Sequence, residues 1–115
     1  MARVLLLNDF LAAQSLRAGV GDVLEYRGYV HSSVGNELGY ELLGGGDCLA
    51  FLGENRAYHT PENMREGWTG GDGATATLSF RAVAAGEVSL RFLHYFRGDV
   101  EESYALHIAI EQEGA

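Results

Sequence analysis

Residues 70–92 read GGDGATATLSFRAVAAGEVSLRF, and this stretch decides the fold. After the glycine-rich opening, small or apolar side chains alternate with polar ones over residues 74–82, and the alternation resumes over residues 88–92. A period of two residues is typical of a strand with one buried face, because successive side chains point to opposite faces of a sheet. The stretch therefore predicts a loop followed by two half-buried strands.

Shorter patterns predict further strands in the rest of the chain. They cover residues 4–7, 23–30, 40–43, 49–52, 56–59 and 104–110. Residues 11–17 fit either a short helix or a loop with a strand-like end. Sixteen glycines and one proline indicate many tight turns, and strands punctuated in this way are typical of an all-β sandwich. The alternation fails over residues 92–96, which indicates a β-bulge or a strand buried on both faces.

Length and composition limit the domain organisation and the partners. The chain has 115 residues, of which 47% are apolar, so we expect one domain over residues 1–115 with a single core. A formal net charge of −8 disfavours nucleic acid and anionic membranes as partners. The apolar run at residues 4–7 is too short for a secretory signal, so we expect a cytoplasmic protein. A secreted or periplasmic location stays open if a leader segment has been removed.

The sequence offers no convincing catalytic or metal-binding motif. The spacing of the four histidines does not match that of metal ligands; they are His31, His59, His94 and His107. The one cysteine, Cys48, is interpreted as a small buried side chain rather than a nucleophile. Glu101 and Glu102 would point to opposite faces of an extended strand, so they are interpreted as a solvated acidic edge rather than an acid–base pair. We therefore expect no cofactor, no metal and no enzymatic activity.

Three loops accompany the predicted strands. The turn at Gly21-Asp22 opens a strand that leads to a polar segment ending in Gly39-Tyr40. Residues 71–74 open the alternating strand, and they precede a strand rather than a helix, which excludes a phosphate-binding loop. Arg97 follows the strand in which the alternation fails.

These elements resemble the chagasin-type inhibitors of papain-like cysteine peptidases over most of the chain. In that family the first loop reads Asn-Pro-Thr-Thr-Gly-Tyr, the second has the pattern Gly-x-Gly-Gly, and the third reads Arg-Pro-Trp. Matching the third loop requires one extra residue near Leu93, where the alternation also fails. The resemblance implies an immunoglobulin-like antiparallel β-sandwich of about seven to eight strands.

The resemblance also implies a function and a set of contact residues. The chain would be a monomeric, reversible inhibitor whose three adjacent loops fill the active-site cleft of a papain-like cysteine peptidase. The residues at the corresponding positions are Asn36, Glu37, Leu38, Gly39, Trp68, Gly71, Asp72, Gly73 and Arg97. Gly98-Asp99 replaces the family's Pro-Trp, and Trp68 either supplies the missing aromatic anchor or packs in the core. The alternative is a non-inhibitory immunoglobulin-like module whose loops bind another protein.

Overall fold

Two four-stranded sheets form the framework in the computed structural model, which describes residues 3–31, 35–58 and 73–112. The strands are β1 (Val4–Leu6), β2 (Ser15–Gly19), β3 (Val23–Val30), β4 (Asn36–Gly44), β5 (Leu49–Tyr58), β6 (Ala74–Ala82), β7 (Gly86–Phe96) and β8 (Asp99–Glu111). One sheet has the order β1-β3-β6-β5, and the other has the order β2-β8-β7-β4. The predicted β-sandwich is confirmed.

The two N-terminal edge strands pair differently from the rest. Four pairings are antiparallel, as expected: β3 with β6, β5 with β6, β7 with β8, and β4 with β7. However, β1 pairs with β3 in parallel, and β2 pairs with β8 in parallel. A parallel pair needs a long connection. The chain supplies one between β1 and β3, because it forms β2 in the opposite sheet before it returns.

The core is made by the alternating faces that the sequence predicts. Along β6 every second side chain from Ala74 to Ala82 is buried. Tyr26 of β3 and Phe92 of β7 stack across the two sheets, with ring centroids 3.9 Å apart and an interplanar angle of 2°. Such an aromatic pair contributes about 1 kcal/mol beyond the area that it buries. The sandwich therefore holds by packing, and Cys48 is a free thiol.

Two ambiguous regions of the sequence resolve as strands. Residues 49–52 and 56–59, predicted as two strands, lie largely in the single strand β5, which has a register shift between Phe51 and Gly53. Gly53 lies at this shift with a φ of 137°, and the regular alternation of side chains along β5 is interrupted there. Residues 11–17 form a turn and then the start of β2 at Ser15. The strand-like end is therefore the correct alternative.

The failed alternation over residues 92–96 coincides with a β-bulge. His94 of β7 pairs with Glu102, whereas Tyr95 pairs with Val100, so Glu101 is the extra residue. The expected bulge is confirmed, but the extra residue lies in the facing strand β8 rather than near Leu93. A bulge leaves one residue outside the ladder and turns the neighbouring side chains from their regular directions.

Asp22 fixes the N-terminal strand at one end of the sandwich. Its side chain is fully buried, and it accepts hydrogen bonds from the Gly19 backbone N–H (2.8 Å), the Arg3 backbone N–H (3.0 Å) and Arg3 Nη2 (2.9 Å). Burial alone raises the pKa of Asp22, but these hydrogen bonds outweigh it and hold the pKa below its ordinary value.

Among the described residues, none of the helical segments has the length and apolar character of a membrane span.

Candidate functional site

The strand ends that flank three connections of the chain lie at the end of the sandwich opposite Asp22. In the first sheet, Val30 at the end of β3 and Tyr58 at the end of β5 both pair with Ala74 at the start of β6. In the second sheet, Asn36 at the start of β4 pairs with Phe96 at the end of β7. We call this end the loop end, and its described residues are His31, Gly35, Asn36, Gly73 and the turn at residues 97–98.

The β7–β8 turn has a fixed backbone. Arg97 and Gly98 have φ values of 52° and 88°, and two positive φ values define a type I′ hairpin turn. A non-glycine residue in this region costs about 1–2 kcal/mol, so the surrounding contacts must hold Arg97 there. The Arg97 backbone N–H donates to the Gly35 carbonyl at 2.8 Å, and its guanidinium carbon lies 5.0 Å from the centroid of the Phe96 ring.

Gly35 is needed for this contact, although it is absent from the residues that the resemblance implies. Its φ is +88°, and a Cβ added there would lie 3.0 Å from both the backbone nitrogen and Cγ of Arg97. The close approach of two backbones explains why glycine occupies this position. The sequence contains the glycine but gives no sign of its neighbour, because the two residues are far apart in the chain.

The predicted first-loop residues, Asn36 to Gly39, lie in strand β4 rather than in a loop. They pair with β7, and this pairing continues the hydrogen-bonded ladder to the loop end. Leu38 is buried, with 7% of its surface exposed, and packs toward Gly28 between the sheets. Glu37 Oε1 lies 2.9 Å from Arg56 Nη2 of β5. Of these four residues, Asn36 lies nearest the loop, since it bridges His31.

The predicted second-loop residues are only partly described. Trp68, Gly71 and Asp72 lie outside the described residues. Gly73 faces the ring of Tyr29, and a Cβ there would overlap that ring. The Tyr29 hydroxyl and His31 Nδ1 are 3.2 Å apart, which connects the ring to the first connection. Gly73 therefore allows the backbone just before β6 to pack closely against Tyr29 near the end of β3.

A polar contact joins the two sheets directly beneath the loop end. Tyr26 of β3 and His94 of β7 form a hydrogen bond of 2.7 Å between the hydroxyl and Nε2. The His94 ring also meets Tyr104 of β8 edge-on, with centroids 5.6 Å apart. Burial raises the pKa of Tyr26 to about 12. Burial also lowers the pKa of His94, while the Glu102 and Glu101 carboxylates oppose that shift.

A small open hollow lies beside His94. Its volume is about 150 Å³, and its lining consists of Tyr29, Asn36, Glu37, His94, Tyr95, Glu101 and Glu102. Glu101 and Glu102 both line it, and the bulge at Glu101 interrupts the regular alternation of β8 on which the expectation of opposite faces rests.

Exposed apolar side chains, rather than a cluster of metal-ligating groups, are found near the loop end among the described residues. Within residues 3–31, 35–58 and 73–112, no cluster of three or more His, Cys, Asp or Glu side chains could hold a metal ion. Cys48 lies at the opposite end, where its Sγ is 3.5 Å from the Ala85 carbonyl. Exposed apolar side chains at or near the loop end include Tyr29 (51%), Phe96 (37%) and Val100 (53%).

Comparison with known proteins extends the fold assignment. No family profile and no curated protein matches the sequence. Among solved structures, the cysteine protease inhibitor EhICP2 from Entamoeba histolytica superposes with a TM-score of 0.70 at 12% identity, covering 96% of this chain and 97% of that one. Amebosin superposes with a TM-score of 0.52 at 10% identity, covering 96% and 99%. At these identities the similarity shows a shared fold, which confirms the expected immunoglobulin-like sandwich.

Proposed function

We propose that this protein is a reversible inhibitor of papain-like cysteine peptidases and that its loop end fills the active-site cleft. The observation that carries the proposal is that the strand ends flanking three connections lie at one end of a sandwich that has the fold of a cysteine protease inhibitor. Occlusion of a cleft requires a shaped surface and no catalytic group from the inhibitor. The described part of the loop end fits that requirement.

The turn at Arg97 is preorganised for binding. Its backbone is held by the hydrogen bond to Gly35 and by the ladder pair of Phe96 with Asp99. A rigid loop loses little conformational entropy on association, so more of the contact energy appears as affinity. The type I′ turn thus supplies the rigidity that proline gives the family's third loop. Phe96 pairs with Asp99, which stands where the family has tryptophan, and supplies an exposed aromatic ring there.

The first connection contributes in a different way from the residues implied by the resemblance. Leu38 is buried between the sheets, so it supports the loop end from below. The contact with the peptidase is assigned instead to Gly35 and Asn36, which lie next to the Arg97 turn. Gly73 allows the second connection to approach Tyr29.

One observation favours the alternative function, a protein-binding module without inhibitory activity. The segment that corresponds to the family's first loop is largely a paired strand, and the third loop lacks the Pro-Trp pair. A module of this kind would bind its partner through the same loop end and leave peptidase turnover unchanged.

The substitution Arg97→Asn tests the proposal without disturbing the turn. Asn-Gly is the preferred sequence of a type I′ turn, so the hairpin should be retained while the guanidinium is lost. We expect inhibition of a papain-like peptidase to weaken by about 1–4 kcal/mol in binding free energy, the range of an interface anchor. Arg91→Asn is the matched control, because Arg91 pairs with Glu41 on the sheet face at 3.2 Å. Equal inhibition by both variants would remove Arg97 from the contact.

A further inference from the structure

His94 connects the two sheets directly beneath the loop end. It is in register with Leu38 on one side and Glu102 on the other, so it lies at the centre of the β4-β7-β8 ladder. Its Nε2 bonds the Tyr26 hydroxyl from the opposite sheet. The ring also packs close to Gly28, where an added Cβ would lie 3.0 Å from His94 Cε1.

The neutral imidazole fits this environment better than the charged one. With its proton on Nδ1, the neutral ring accepts the Tyr26 hydroxyl proton at Nε2, whereas an imidazolium Nε2 can only donate to the Tyr26 oxygen. Protonation therefore reverses this hydrogen bond and leaves the Tyr26 hydroxyl proton without its acceptor. Tyr26 has 2% of its surface exposed, and a buried hydroxyl donor that loses its acceptor is destabilising.

The hollow beside His94 offers the charged ring an alternative position. The titratable and charged groups around the ring are Tyr26 and Tyr29 of β3, Glu37 of β4, Tyr95 of β7, and Glu101, Glu102 and Tyr104 of β8. Glu37 is paired with Arg56, and Glu102 accepts a hydrogen bond of 2.7 Å from the Tyr104 hydroxyl. The Glu101 and Glu102 carboxylates beside the hollow thus favour the protonated His94 ring. The Tyr26 hydroxyl on the core side favours the neutral ring.

We propose that His94 is a proton-sensitive contact that regulates the loop end: neutral, it joins the sheets through Tyr26, and protonated, it moves toward Glu101 and Glu102 and loosens the contact between Gly35 and the Arg97 turn. Histidine is the side chain that changes charge in the mildly acidic range, so the device would operate as the pH falls below the ordinary histidine value. Because the folded state favours neutral His94, stability is present at neutral pH and falls as the pH drops below the ordinary histidine value of 6.5. The regulatory consequence rests on the proposed inhibitory function, whereas the structural change does not.

The structural change is tested on the isolated protein by NMR. Histidine ring signals and backbone amide signals are followed from about pH 7.5 to about pH 5. We expect the amides of Gly35, Gly28 and Arg97 to shift with the same midpoint as the His94 ring. In His94→Gln, whose carbonyl still accepts from Tyr26, these amide shifts should disappear.

Two further variants keep this experiment decisive. Tyr26→Phe removes only the hydroxyl and should move the His94 midpoint to higher pH. His107→Gln is the matched control, because His107 lies on the sheet surface with its Nε2 2.7 Å from Glu87 Oε1; this variant should retain the wild-type response. If His94 titrates while the loop-end amides stay still, or if His94→Gln keeps the wild-type amide shifts, the proposal is overturned.

The regulatory consequence is tested with a papain-like peptidase. The ratio of the wild-type Kd to the His94→Gln Kd cancels the titration of the peptidase itself. We expect this ratio to rise below about pH 6.5, by at most about tenfold per pH unit because a single proton is linked. A flat ratio beside a positive NMR result would contradict regulation of binding. An absence of inhibition at every pH would instead contradict the proposed function and leave the NMR result standing.

Discussion

Replacing Gly35 by alanine tests how the first connection holds the Arg97 turn. Gly35 has a φ of +88°, where an alanine costs about 1–2 kcal/mol in backbone strain. The new Cβ would lie 3.0 Å from the Arg97 nitrogen, which displaces the turn and weakens a hydrogen bond worth about 1 kcal/mol. We therefore expect Gly35→Ala to lower the free energy of unfolding by about 2–3 kcal/mol, measured by urea denaturation.

Gly21→Ala provides the matched control for this substitution. Gly21 has a φ of +98° at the opposite end of the sandwich, and an added Cβ there meets nothing within 4 Å. Gly21→Ala should therefore carry only the backbone strain and lower the free energy of unfolding by about 1–2 kcal/mol. Gly35→Ala should also weaken peptidase inhibition by about tenfold or more, since it moves an interface anchor, while Gly21→Ala leaves inhibition unchanged. Equal losses of stability together with equal inhibition would refute the reasoning about the Gly35–Arg97 contact.

Two further predictions concern stability. Asp22→Asn should lower the free energy of unfolding by about 1.5–3 kcal/mol at neutral pH, because hydrogen bonds to a buried carboxylate are lost or weakened. Because the pKa of Asp22 is lowered, its stabilisation is present above the ordinary value of 3.8 and is lost as the pH falls through the native pKa. The free energy of unfolding of Asp22→Asn, measured with urea, should therefore depend less on pH in the acid range than that of the wild type. An unchanged acid response would contradict this. Leu38→Glu buries a carboxylate between the sheets and should unfold the protein by circular dichroism, whereas Leu42→Glu, at a side chain 39% exposed, should remain folded. A folded Leu38→Glu variant would show that this side chain is free to face a partner.

The strands that the sequence predicts well are those with one apolar and one polar face. Val23 to Val30 and Ala74 to Ala82 match their predicted bounds, because the alternation reports burial directly. The start of β4 was hidden by polar residues. Glu37 is satisfied by Arg56 on a neighbouring strand, and this contact is visible only once β4 and β5 are placed together.

The loop end was predictable in outline and not in detail. The resemblance implies three adjacent loops, and the described residues place the strand ends that flank them at one end of the sandwich. The positive φ of Arg97 could not be foreseen, since arginine rarely adopts it, and the structure shows the backbone contact with Gly35 that holds it. The register of Glu101 and Glu102 could not be read from the sequence, because a single bulge residue interrupts the alternation from which faces are assigned.

Protection of a peptidase's catalytic cysteine tests the central claim most directly. A papain-like peptidase is treated with iodoacetamide in the presence of increasing amounts of this protein, and the rate of alkylation is followed by mass spectrometry. If the loop end fills the cleft, the rate should fall to near zero at one equivalent, and Arg97→Asn should require more protein for the same protection. An undiminished alkylation rate at saturating protein would contradict occlusion of the cleft.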